Sequence, residues 1–163
     1  MAKGAISSTP LKLNRRLSVT YAGGPFKLVE VVRPILIVED EALIRMGLAD
    51  CLQSGGFAVA ECSAGGEAMG YIDDATQLQG LITDIQLGAG PNGWEVARHA
   101  RTKFANLPVV YVSGDSAADW TAEGVPCSIM LQKPYADAQI LTAIASLLNE
   151  AGPLPPATDP ASG

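Results

Sequence analysis

Residues 34–38, Pro-Ile-Leu-Ile-Val, form an unbroken apolar and mostly β-branched run that stops at three acids, Glu39, Asp40 and Glu41. A strand with one face in water alternates apolar and polar residues. A strand that is apolar at every position has both faces covered, which is the habit of a parallel sheet lying between helices. Two more runs of this kind follow, Leu81-Ile82-Thr83 and Pro108-Val109-Val110-Tyr111-Val112, with Phe57–Cys62 as a weaker strand and Cys127–Leu131 as a fifth.

Helical patterns separate them. Residues 41–54 place Leu43, Ile44, Met46, Leu48, Cys51 and Leu52 at helical spacing, and Gly55-Gly56 ends the segment. Residues 65–73 read as a short helix, 93–104 as a helix that Asn92 caps, and 116–123 as a short, poorly patterned one. Asp137 opens a last helix through Leu148, with Ile140, Leu141, Ile144, Leu147 and Leu148 on one stripe. The alternation predicts an α/β fold, a five-stranded parallel sheet with helices on both faces.

The chain has 163 residues, of which 48% are hydrophobic, enough for a packed core and too many for a fully disordered chain. Its charge is uneven. Residues 1–34 carry six bases and one acid, residues 35–163 five bases and 16 acids, for a net −6. The first 31 residues show little periodicity and read as a basic extension without regular structure. They contain no apolar core of a secretory signal, and their poverty in acids fits either a transit peptide or a start placed too early. Residues 152–163 read as a Pro/Ala-rich tail, leaving 32–151 as the folded domain. No apolar run approaches the length of a bilayer span, and the acidic balance argues against a general nucleic-acid coat. Cys51, Cys62 and Cys127 are odd in number and widely spaced, so they read as reduced thiols of a cytoplasmic protein rather than a disulfide framework or a zinc site. His99, the sole histidine, reads as the polar side of a helix.

In a parallel α/β sheet, chemistry gathers at the carboxyl ends of the strands. The first strand runs into Glu39-Asp40-Glu41, the third into Asp84, the fourth into Ser113-Gly114-Asp115 and the fifth into Gln132-Lys133-Pro134. Carboxylates brought together repel unless a cation sits among them. Oxygen ligands without His or Cys suit a hard ion such as Mg2+. A lysine is a point cation of the kind that holds phosphate, and a carboxylate beside a metal, a lysine and a hydroxyl is placed to attack phosphorus.

These motifs, Ile35–Glu41, Leu81–Ile85, Val109–Gly114 and Gln132–Tyr135, resemble in order and spacing the receiver domain of two-component response regulators, over about residues 33–150. The resemblance implies the flavodoxin-like, doubly wound fold with strand order 2-1-3-4-5. It implies that Asp84 accepts a phosphoryl group from a phosphohistidine on a sensor histidine kinase or phosphotransfer protein. Mg2+ would be held by Asp40, Asp84 and the Gln86 backbone carbonyl, with Glu39 acting mainly through water. Lys133 would pair with the phosphoryl oxygens and Ser113 would move to bond them. A cis Lys133–Pro134 peptide is implied as well. By the same resemblance, Gln86 and Asp115 would lie where members of the family tune access of hydrolytic water.

The pattern departs from the family in three places. Gly88 stands where a proline is common, in a loop one residue longer than usual. Met130 stands where an aromatic switch residue is common, so coupling must use other packing, or Tyr111 or Tyr135. No output domain follows residue 151, which argues against direct DNA binding. The expected role is a stand-alone phosphorylation switch that docks an unknown target protein. It is not an enzyme beyond its own phosphorylation and dephosphorylation, and a phosphorylation-dependent homodimer is compatible with the scheme. A phosphate-independent interaction module and a phosphorelay intermediate or phosphate sink remain as alternatives. The G-x-G-x-x-G match at 88–93 is set aside as a dinucleotide site, because Asp84 would oppose a pyrophosphate and Pro91 supplies no N–H.

Overall fold

A computed structural model describes residues 17–20, 27–30 and 32–152. Ahead of the domain, β1 (Leu17–Thr20) pairs antiparallel with β2 (Lys27–Glu30), Leu17 opposite Glu30 and Thr20 opposite Lys27. The sequence reading expected no regular element there. Val19, Thr20, Leu28 and Val29 are residues that favour extended backbone, and that local preference is the signal a reading based on charge and low periodicity passes over. The expected tail from 153 onward lies outside the described residues.

The domain follows as β3 (Ile35–Val38), α1 (Ala42–Ser54), β4 (Val59–Cys62), α2 (Gly65–Asp74), β5 (Gly80–Asp84), α3 (Gly93–Lys103), β6 (Val109–Ser113), a 3-10 turn at Ser116–Asp119 leading into α4 (Trp120–Glu123), β7 (Ser128–Gln132) and α5 (Asp137–Glu150). The sheet order is β4-β3-β5-β6-β7, every pairing parallel, which is 2-1-3-4-5 counted from β3. The three inner strands are buried throughout and the edge strands β4 and β7 only in part, so the continuous apolar runs mark the centre of the sheet.

The inner strands send alternate side chains to two cores. Leu36, Val38, Leu81, Val109 and Tyr111 pack beneath α2 and α3; Ile35, Ile37, Ile82, Val110 and Val112 pack beneath α1 and α5. One correction concerns α1. Its buried residues are Leu48, Ala49, Cys51 and Leu52, while Leu43 and Met46 are exposed. At 3.6 residues per turn the face carrying Leu48, Cys51 and Leu52 looks at the sheet, and Leu43 and Met46 fall off it. The α3 cap is as expected: Asn92 Oδ1 accepts from the Glu95 N–H and Glu95 Oε2 from the Asn92 N–H, a reciprocal capping box. His99 bonds Asp73 Oδ1 at 2.7 Å and links α3 to α2. The three cysteines are free thiols, Cys51 and Cys62 buried and Cys127 exposed. Among the described residues no helix is long and apolar enough to cross a membrane.

Candidate functional site

Register carries the strand ends to one edge. Val38 pairs with Thr83, Asp84 with Val112 and Ser113 with Gln132, so Glu39, Asp84, Ser113 and Lys133 emerge side by side. Glu39 is fully buried and Asp84 nearly so, whereas Asp40 is exposed. One carboxylate oxygen from each of Glu39, Asp40 and Asp84 lies within 4.8 Å of the others. Glu41 and Asp115, also acids at strand ends, are exposed and stand outside this cluster.

Lys133 is the cation among the acids. Its Nζ lies 3.0 Å from Glu39 Oε2 and 2.5 Å from Asp84 Oδ2. The free oxygens are met by backbone: the Gln86 N–H donates to Asp84 Oδ1 at 2.9 Å and the Glu41 N–H to Glu39 Oε1 at 3.2 Å. Burial pushes the Glu39 carboxyl above the ordinary carboxylate range, and the Lys133 ammonium and the Glu41 N–H offset this only in part. Burial alone would pull Lys133 down. The hydrogen bonds and charges of Asp84 and Glu39 outweigh it and leave the ammonium above the ordinary lysine range.

Gly93 makes this packing feasible. Its N–H donates to the Ile85 carbonyl at 2.9 Å, and a β-carbon there would stand 2.1 Å from the Asp84 carbonyl oxygen. Gly88, with φ of +72°, adopts the left-handed turn that glycine favours, in the loop between Asp84 and α3. The three-carboxylate cluster offers oxygen donors only, with one exposed member open to solvent, a donor set that fits Mg2+ better than zinc or copper.

A family model of the response regulator receiver domain matches residues 35–145. The chain belongs to this family. The receiver is 39% identical to the response regulator receiver protein of Sinorhizobium medicae WSM419, with a TM-score of 0.72 over 74% of this chain and 97% of that one. It is 32% identical over 119 residues to the transcriptional activator protein ExaE of Pseudomonas putida, covering 70% of this chain and 54% of that protein. The chain thus spans about half the length of that relative. The receiver domain of the sensor histidine kinase PA1611 of Pseudomonas aeruginosa PAO1, whose structure holds a magnesium ion in its active-site cleft, shares the fold at 18% identity, with a TM-score of 0.63 over 73% of this chain and 99% of that one.

Within the receiver, the residues read from the sequence fall as follows. Glu39, Asp40, Asp84 and Lys133 converge. Ser113 is buried at the end of β6, where its Oγ accepts from the Asp115 N–H at 3.2 Å and its carbonyl accepts from the Lys133 N–H at 2.8 Å. At residue 86 the group seen to touch the site is the N–H. Tyr111 is wholly buried beneath α3, its ring 4.5 Å from that of Trp94 and its hydroxyl accepting from the Val125 N–H. Met130, opposite Tyr111 in the sheet, packs half-buried against the same core. Tyr135 packs half-buried against the other, and burial pushes its phenol up to about 12. The Lys133–Pro134 peptide is cis. Sequence reading passed over Gly93 and Arg45. Glycine at the first helical position after an Asn cap was a usable signal for the first; the second reaches a backbone carbonyl, which no side-chain pattern records.

Proposed function

We propose that the chain is a phosphorylation switch in which Asp84 is the phosphoacceptor. The observation that supports this most is the bridged pair of buried carboxylates, Glu39 and Asp84, held by Lys133 beside the exposed Asp40 at the carboxyl edge of the sheet. An Asp84 oxygen bonds to phosphorus as the P–N bond of a phosphohistidine breaks. The products are an aspartyl phosphate and an imidazole that takes up a proton. Glu39, Asp40 and Asp84, with the Gln86 carbonyl, are the residues to hold Mg2+, which when bound supplies positive charge against the phosphoryl oxygens. Lys133, already on Asp84 Oδ2, is placed to pass from the free carboxylate to the phosphoryl oxygens. Ser113, at the end of the neighbouring strand, is placed to bond the phosphoryl group once it is in place. The change at Ser113 then shifts an existing equilibrium, which a target protein reads at the face around α4, β7 and α5.

In this reading the donor is a sensor histidine kinase or a phosphotransfer protein, and the setting is the cytoplasm. It catalyses only its own phosphorylation and dephosphorylation. The test is intact mass after incubation with acetyl phosphate, with Mg2+ or with EDTA, on the protein and on Asp84→Asn. One phosphate, added only with Mg2+ and only when Asp84 is present, is expected. No adduct, with no Mg2+ binding, would sink the switch and favour a phosphate-independent interaction module.

A further inference from the structure

We infer that Arg45 is a positioning residue for the Glu39–Asp40 turn and sets how tightly the turn holds Mg2+. The inference rests on the metal reading above. Arg45 closes the first turn of α1, its N–H donating to the Glu41 carbonyl at 3.0 Å. Its side chain runs back toward the start of the helix, as helical side chains do, and Nη1 donates to the Glu39 carbonyl at 2.7 Å. On its other side Nε faces Glu61 Oε2 on β4 at 3.6 Å. The side chain is 20% exposed and so lies pinned between the turn and the edge strand.

This contact completes the restraint of Glu39. The Glu39 N–H donates to the Cys62 carbonyl, Oε1 accepts from Glu41, Oε2 accepts from Lys133, and the carbonyl accepts from Arg45. The Glu39 carbonyl and the Asp40 N–H share one planar peptide. A donor that holds this carbonyl therefore sets the plane from which Asp40, the exposed member of the cluster, departs. Groups that orient metal ligands without touching the ion commonly change affinity by about tenfold or more. A guanidinium near the turn also repels a dication, an effect of opposite sign. Glu61, facing Arg45 Nε, neutralises part of that charge. Orientation therefore outweighs repulsion, and loss of Arg45 weakens binding.

The experiment is a MgCl2 titration read by tryptophan emission, since Trp94 follows the glycine packed on the Asp84 carbonyl. Wild type, Arg45→Met and Arg45→Lys are compared, each with a urea midpoint. A Kd weaker by about five- to tenfold in Arg45→Met, recovered to within about threefold by Arg45→Lys, with midpoints near wild type, is expected. Equal or tighter binding by Arg45→Met overturns the inference. Equal loss of affinity and of midpoint in both variants overturns it too, since that is the mark of packing alone. If Arg45→Met does not fold, Arg45→Gln is read in its place against the same thresholds. A wild type that does not bind Mg2+ overturns both this inference and the metal reading, whereas an insensitive variant of a Mg2+-binding wild type overturns this one only.

Discussion

Lys133 is the residue on which the charge balance of the site turns. It counters Glu39, which is wholly buried, and Asp84, which is nearly so. Removing one partner of a buried ion pair leaves the other uncompensated. The effect here is reduced because Lys133 is partly exposed and Glu39 can take up a proton. Lys133→Met is expected to lower stability by about 2 kcal/mol near pH 8. The sign of its pH dependence follows from Glu39. A carboxyl whose folded pKa is raised stabilises the fold when protonated, and that contribution is lost as pH rises through the raised value. The variant's deficit should therefore shrink at pH 5, as urea midpoints at the two pH values would show; an equal deficit at both would contradict this account. The same residues were the most legible in the sequence, because each stands directly at the end of an apolar strand run, buried for β3 and β5 and partly buried for β7. Arg45 and the Gln86 N–H were not, because their partners come close only through a helical turn or a loop.

At the scale of elements, the start of α3 joins stability to chemistry. Asn92→Ala removes one half of the capping box and is expected to cost about 1 kcal/mol in denaturant unfolding while leaving the phosphorylation rate nearly unchanged. Gly93→Ala differs. Its new methyl group would meet the Asp84 carbonyl and the Ile85 Cα, both backbone, so something rigid must shift. A cost of about 1–3 kcal/mol and a slower phosphorylation are expected together; phosphorylation at the wild-type rate would show that Asp84 had not moved. The sequence pattern marks all five helices of the domain and its five strands, the fourth helix only weakly. It missed the inward face of α1, because Leu43 and Met46 are as apolar as Leu48 and Leu52 and only the sheet decides which pair is covered. It also missed the β1–β2 pair, whose signal is four-residue β-propensity in a basic segment.

For the whole molecule, the two-sided core follows from buried runs alternating with helices, whereas the strand order was legible only through the resemblance to receiver domains. The buried titratable groups give the fold a second property. Burial raises the Cys62 thiol from 9.0 to about 11 and the Tyr135 phenol from 10.0 to about 12. The unfolded chain loses these protons first. The stabilisation is full below about pH 9 and is lost as pH rises through the folded values. Urea midpoints should fall steadily above pH 9, and Cys62→Ala should flatten the first part of that decline. A midpoint constant to pH 11 would mean that these groups titrate alike in both states.

In the proposed switch one carboxylate, Asp84, carries the phosphoryl group. This is tested most directly by treating the protein with acetyl phosphate and Mg2+, reducing it with borohydride, and sequencing its peptides by mass. An aspartyl phosphate is an activated acyl group and is reduced to an alcohol, whereas a free carboxylate is not. Homoserine at position 84, and at no other aspartate, is the predicted result. Homoserine at Asp40 or Asp115 instead, or at no position while wild-type protein binds Mg2+, would contradict the account.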